Sequence, residues 1–206
     1  MNKYLISILG PTAIGKTKLA INLAEKYSTE IISADSRQFY KELNIGAAKP
    51  SNNDLNRVKH HLINNKSVID NYSIGEFERD AIKNITKIHK KADIAILVGG
   101  SGLYLDVINY GLDQIPKSDE NIRDFLNNEF KLKGLNHIQN ELKEKDLISF
   151  NSIDLNNPRR IIRALEVTIS NGKPYSSFLK KKNNKRNFKT IEIGLKDDRE
   201  LIYNRI

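Results

Sequence analysis

The stretch YLISILGPTAIGKT, residues 4–17, constrains this chain more than any other. Tyr4-Leu5-Ile6-Ser7-Ile8-Leu9 reads as a buried parallel strand, because it is apolar almost throughout and stops at a glycine. It runs into Gly10-Pro11-Thr12-Ala13-Ile14-Gly15-Lys16-Thr17, the full G-x-x-x-x-G-K-T spacing of a P-loop. Residues 16–27 then place Leu19, Ala20, Leu23, Ala24 and Tyr27 at helical spacing. Strand, glycine loop and helix follow in the order a phosphate cradle needs. Gly10 and Gly15 let the backbone turn its amides inward, and the helix N-terminus adds its positive dipole end. On this reading Gly10 to Thr17 bind phosphate, Lys16 reaches the terminal phosphate and Thr17 holds a magnesium ion.

The rest of the chain extends the same architecture. A short strand at 30–33 leads into Ala34-Asp35-Ser36-Arg37-Gln38, the loop NIGAAKP follows, and then HHLI at 60–63. A helix is predicted over 74–89, with Phe77, Ala81, Ile85 and Ile88 on one face. Ile94–Val98 is a continuous apolar strand ending in Gly99-Gly100-Ser101-Gly102. Alternating strands and helices make an open parallel α/β core over 1–113. From about Asp113 the pattern turns helical and polar, at 119–131, 134–145 and 158–170, and strand character returns only at 190–195. Residues 114–189 are therefore expected to form a helical insertion, and 190–206 to return to the core. The last residues, 201–206, lie inside an amphipathic helical pattern with no capping signal, as if the chain were cut there.

Charge locates a second function. The formal total is +9, and residues 156–189 hold ten Lys/Arg against one acid, Glu166, so the rest of the chain is balanced. A basic block of this kind points to a polyanion, most often nucleic acid, where an even scatter of lysine would signify only solubility. Its flexible-loop alternative centres on Lys180-Lys181-Lys182. Cysteine is absent, which excludes disulfides and thiolate metal sites. No apolar run reaches membrane-spanning length and no export signal is visible, so a cytoplasmic chain without membrane contact is expected.

Ligands of open α/β sheets bind beyond the carboxyl ends of the strands. Three loops meet that condition: the P-loop, Asp35–Gln38 and Gly99–Gly102. A nucleotide hydrolase would carry an acid at the end of its best apolar strand. Here that strand ends in Gly-Gly, and Asp93 lies at its wrong end. Asp35 is the acid correctly placed to bind a hydroxyl, hold metal-bound water or act as a base, against a turn or capping role. Gly99–Gly102 could form a second amide nest with the Ser101 hydroxyl, or only a tight connection. His60-His61 lack a companion ligand set, which favours a structural role over a metal. Arg159, Arg160 and Arg163 open a helix beginning at Pro158, where the dipole disfavours positive charge, and so suggest phosphate binding.

GPTAIGKT, ISADSRQFY, NIGAAKP, HHLI, GGSGLYL and DLNNPRRIIRALEV followed by GKPYS occur in the order seen in the tRNA dimethylallyltransferases, the isopentenyl-diphosphate:tRNA transferase family. The chain resembles that family from residue 5 to its end, and stops short of the usual family length. The resemblance implies a P-loop NTPase-like parallel sheet with a helical insertion domain. It implies magnesium-dependent transfer of a dimethylallyl group from dimethylallyl diphosphate to the N6 amine of the adenosine immediately 3′ of the anticodon. Carried over residue by residue, Gly10–Thr17 take the diphosphate, and Asp35 accepts the amine proton. Lys16 and Ser101 complete the catalytic group, Ser101 standing where the family usually has Thr. Asp35, Ser36, Arg37, Gln38, Ser101, Arg123 and the stretch Arg159-Arg160-Ile161-Ile162-Arg163 contact tRNA. Ile14 replaces the usual small or polar P-loop residue, with little expected effect because backbone amides make most phosphate contacts. A monomer is expected. The competing readings are a P-loop small-molecule kinase, which would bind ATP, and a non-catalytic RNA-binding protein.

Overall fold

In the computed structural model, which describes residues 2–113, 115–179 and 186–205, the chain runs β1 (Tyr4–Leu9), α1 (Lys16–Lys26), β2 (Ile31–Ser33), α2 (Asn52–Arg57), β3 (His60–His61), α3 (Ile74–His89), β4 (Ile94–Val98) and α4 (Gly102–Tyr110). It continues through α5 (Glu120–Lys133), α6 (Leu135–Lys145), α7 (Leu147–Ser152), α8 (Pro158–Asn171) and a 3-10 turn, Tyr175–Phe178, to β5 (Lys189–Gly194) and α9 (Arg199–Tyr203). The five strands pair in the order β3-β2-β4-β1-β5, every pairing parallel. The parallel α/β core expected from the sequence is therefore present.

Alternation along the central strands sorts their side chains onto two faces. Leu5, Ile32, Ala95 and Leu97 pack with Phe77, Ala81 and Ile85 of α3 and Leu105 and Ile108 of α4. Ile6, Ile8, Ile31 and Ile96 pack with Ala20, Ile21 and Ala24 of α1. Helix α3 starts at a complete capping box, Ser73 with Glu76, which explains its sharp onset. Helix α4 has no periodic signal in the sequence, because it is too apolar to show one.

The chain divides into a sheet unit, Met1–Leu112 with Asn184–Ile206, and a helical unit, Asp113–Asn183. The helical unit has its own core, in which Ile161, Ala164 and Leu165 of α8 meet Leu126 of α5 and Ile138 and Leu142 of α6. The expected insertion boundary at 189 is corrected: the chain rejoins the sheet unit earlier. Arg186 donates to the carbonyls of Ile108 (2.9 Å) and Val107 (2.8 Å) and pairs with Glu78. Phe188 packs on the α3 and α4 side of the sheet. Among the described residues of the basic block, Arg186 and Lys189 thus belong to the sheet unit. Lys180, Lys181 and Lys182 lie outside the described residues.

Candidate active site

The sheet order decides what faces what. Because β4 lies between β1 and β2, the loop after β4 separates the P-loop from the Asp35 loop. Gly99 fills that place for a steric reason. A Cβ on it would lie 2.3 Å from the Ala34 carbonyl oxygen, which no other residue can tolerate. Its amide is spent on Ile8 O at 3.2 Å, so the expected second amide nest is corrected at this position to a close-approach glycine. Gly100 is open, with Lys16 Nζ and Gly10 O each 3.9 Å from where a Cβ would be. Two residues without side chains therefore leave a gap across which Lys16 and Asp35 interact.

The result is a cleft of about 540 Å³ lined by Thr12, Ala13, Gly15, Lys16, Thr17, Asp35, Gln38, Gly99 and Gly100, among others. Gly15 is left-handed (φ 97°) and caps α1 with no side-chain hydrogen bond, and the first turn holds no acid. The first amides of α1 are thus left for an anion. Ala13 also has positive φ (63°), a local strain in the loop itself. Lys16 Nζ donates to Pro11 O at 2.6 Å. Burial lowers the Lys16 pKa from its ordinary range, and the Asp35 carboxylate works against that fall. A phosphate in the cleft would add to the Asp35 effect and hold the ammonium charged.

Asp35 is half-buried and accepts the Arg37 amide at 2.9 Å, an Asx turn that leaves its second carboxylate oxygen for a ligand. Phe39 anchors this loop from below, fully buried against Tyr72, Phe77 and Tyr104. Ser36 and Arg37 are exposed. Gln38 lines the cleft and is also a strut. Its amide accepts from Ser33 Oγ at 2.8 Å and donates to Ala47 O (3.3 Å) and Ala48 O (3.1 Å), tying the NIGAAKP loop to the tip of β2. Ser101 caps α4 without a side-chain hydrogen bond and does not join the cleft lining, which ends at Gly100.

For magnesium, the donor set decides the fit. No group of three His, Cys, Asp or Glu that could hold a metal forms among the described residues. The cleft instead offers the Thr17 hydroxyl and the Asp35 carboxylate, hard oxygen donors of the kind magnesium accepts when a ligand's phosphate and water fill the remaining positions. The histidines are structural: His60 Nδ1 lies 2.8 Å from Val58 O, His61 pairs with Glu30, His89 bonds Tyr4 O at 3.0 Å and His137 bonds Glu129 at 3.0 Å. Asp93 is paired with Lys3 at 2.8 Å, far along β4 from its tip. Arg57 and Asp54, which had no sequence signal, also line the cleft, as does His60 of the HHLI motif.

In the helical unit the predicted arginines separate into two kinds. Arg159 and Arg160 are exposed, without an ion-pair partner among the described residues. Arg123 places both Nε and Nη2 at 3.0 Å from Glu166 Oε2, and Arg163 Nη1 lies 3.3 Å from Glu166 Oε1. Ile161 and Ile162 are 0% and 6% exposed in the core of this unit; Ile161 can only support the arginines beside it, while Ile162 lines one hollow with Arg123, Arg159 and Arg163.

A family described as IPP transferase matches residues 38–206 of the chain. The tRNA dimethylallyltransferase of Christiangramia forsetii is 50% identical over 100% of this chain and 68% of its own length. That of Flavobacterium johnsoniae is 49% identical over 99% and 68%. These alignments include the P-loop and Asp35, which the family match leaves out. Among solved structures, the full-length tRNA isopentenylpyrophosphate transferase of Bacillus halodurans aligns with a TM-score of 0.62 at 34% identity, over 99% of this chain and 63% of that one. A eukaryotic dimethylallyltransferase, solved acting on tRNA, aligns with a TM-score of 0.84 at 28% identity, over 99% and 51%. The chain spans about two thirds of the curated relatives it matches (68%) and less of these two solved proteins.

Proposed function

Because the chain belongs to the IPP transferase family, we propose that it transfers a dimethylallyl group from dimethylallyl diphosphate to the N6 amine of the adenosine immediately 3′ of the anticodon in tRNA, releasing diphosphate. The observation that carries the reading is the placement of Asp35 across a side-chain-free gap from Lys16, with the uncapped start of α1 beside it. A phosphate cradle and a carboxylate that face each other suit a reaction with an anionic leaving group and an attacking group that must lose a proton.

The bond that breaks joins the allylic carbon to a diphosphate oxygen, and the bond that forms joins that carbon to the adenine nitrogen. Negative charge grows on the departing diphosphate, where Lys16 and the amides of Ala13–Thr17 meet it. The amine proton passes to Asp35, whose geometry is fixed by the Arg37 amide and by Phe39 beneath it. Thr17 would hold magnesium, which when bound neutralises part of the diphosphate charge. The adenine must leave its stack to react. The exposed arginines of α8 would grip RNA phosphates, independently of sequence. Ser36 and Arg37 are exposed at the cleft loop and suit RNA contact. A cytoplasmic monomer is part of the proposal; among the described residues no helix is long and apolar enough to cross a membrane.

The test mixes protein, magnesium, tRNA and dimethylallyl diphosphate and looks for prenylated adenosine by mass spectrometry of digested tRNA. Parallel calorimetry should show tighter binding of dimethylallyl diphosphate than of ATP. Tight ATP binding with tRNA-independent phosphoryl transfer to a small metabolite would replace this reading with the kinase one.

A further inference from the structure

Glu166 stands out in the helical unit as a carboxylate whose side chain is 2% exposed. A buried carboxylate is costly unless every lone pair is met. Here the Ser118 hydroxyl donates to Oε1, Arg123 brings two N–H groups to Oε2, and Arg163 approaches Oε1. Ser118 Oγ in turn accepts from Arg163 Nη1 at 2.6 Å, so the hydroxyl bridges acid and base. Burial alone would push the Glu166 pKa up, but the Ser118 and Arg123 hydrogen bonds and the two arginine charges bring it below the ordinary glutamate range.

The stoichiometry matters more than the pairing. One carboxylate faces two guanidiniums, so the cluster keeps a positive charge, and Arg159 adds another at the same hollow of about 340 Å³, which Asn127 also lines. Arg123 and Arg163 stay half-exposed, at 50% and 38%, so each retains N–H donors for something outside the cluster. Arg123 comes from α5, whereas Arg163 and Glu166 lie one turn apart on α8, so the carboxylate fixes guanidiniums from two helices in one arrangement.

We infer that Glu166 is a positioning residue for RNA recognition: with Ser118 it holds Arg123 and Arg163 so that their remaining donors converge on one phosphate group at the α5–α8 hollow. The inference rests on the reading that this unit binds tRNA. Held arginines lose less side-chain freedom on binding than free ones, which is how a buried acid can strengthen binding to an anion. Simple electrostatics gives the opposite expectation, and that makes the idea testable.

The full chain carrying Glu166→Gln is titrated with an anticodon stem-loop RNA and with an unpaired RNA of the same length, over a range of salt. Removing a negative charge beside two arginines should by charge alone tighten both and steepen the salt dependence. Positioning predicts instead that stem-loop affinity falls about tenfold while the unpaired RNA binds as well as before or better, and dimethylallyl diphosphate binding does not change. Should Glu166→Gln fail to fold, Ser118→Ala, which removes only the bridging hydroxyl, is expected to shift the same ratio in the same direction by a few-fold. An unchanged or tighter stem-loop complex overturns the inference. An Arg159→Ala/Arg160→Ala variant run alongside separates the two failures. If it weakens stem-loop binding while Glu166→Gln or Ser118→Ala does not, positioning fails and the RNA surface stands; if neither variant weakens it, the RNA reading of this unit has failed.

Discussion

Helices α1 and α8 both begin where phosphate is expected, and they are built in opposite ways. Helix α1 starts from a left-handed glycine, with no side chain on its first amides and no acid in its first turn. Helix α8 starts from Asn157, which caps the Arg160 amide, and from Pro158, which has no N–H to offer. The backbone of α1 is therefore the binding group, whereas at α8 the cap takes the Arg160 amide and Pro158 offers none. Any phosphate near α8 must be met by arginine side chains. A backbone cradle is rigid and short-ranged, suited to a diphosphate held in one pose during chemistry. A set of arginines reaches farther and tolerates variation along a nucleic-acid backbone.

Substitutions should break the two ends differently. The largest effect is expected from Asp35→Asn, which can keep the turn to the Arg37 amide but cannot take a proton. Prenyl transfer should fall by roughly 10² to 10⁴ with tRNA affinity retained, measured by single-turnover assay and filter binding. Transfer within a factor of a few of the parent would remove Asp35 from the mechanism. Lys16→Ala follows, with a loss of about 10² to 10³ in transfer and weaker calorimetric binding of dimethylallyl diphosphate. If only tRNA binding suffered, the cradle would not be the diphosphate site.

Stability tests whether the glycines after β4 are steric or functional. Gly99→Ala forces a Cβ onto the Ala34 carbonyl and should cost about 1–3 kcal/mol in denaturant unfolding, whereas Gly100→Ala has room and should be near neutral for folding. Equal stabilities would mean that the two strand tips can move apart freely. The smallest effect belongs to α8. Arg159→Ala with Arg160→Ala should lower the slope of log affinity against log salt by about 0.7–0.9 for each phosphate no longer neutralised, with diphosphate binding unchanged. An unaltered slope would make these arginines solvated surface.

The sequence by itself determined the elements whose signals are local. The strand 4–9, the glycine loop, the helix 74–89 and the strand 94–98 were all legible, because periodicity and glycine spacing act within one or two turns of chain. The strand-tip position of Asp35 was legible for the same reason. What the tertiary structure decided depends on contacts between distant segments. That β4 lies between β1 and β2 cannot be read from any one strand, yet it explains why Gly99 must be glycine and how Asp35 comes within reach of Lys16. Gln38 became a strut only when the 44–50 loop folded back over β2. The sequence marked Arg159 to Arg163 as one basic stretch, but an α-helix turns about 100° per residue. Packing against α5 and α6 therefore sent Ile161 and Ile162 inward, left Arg159 and Arg160 outside, and brought Arg163 with Arg123 onto a buried acid that no linear motif connects to both.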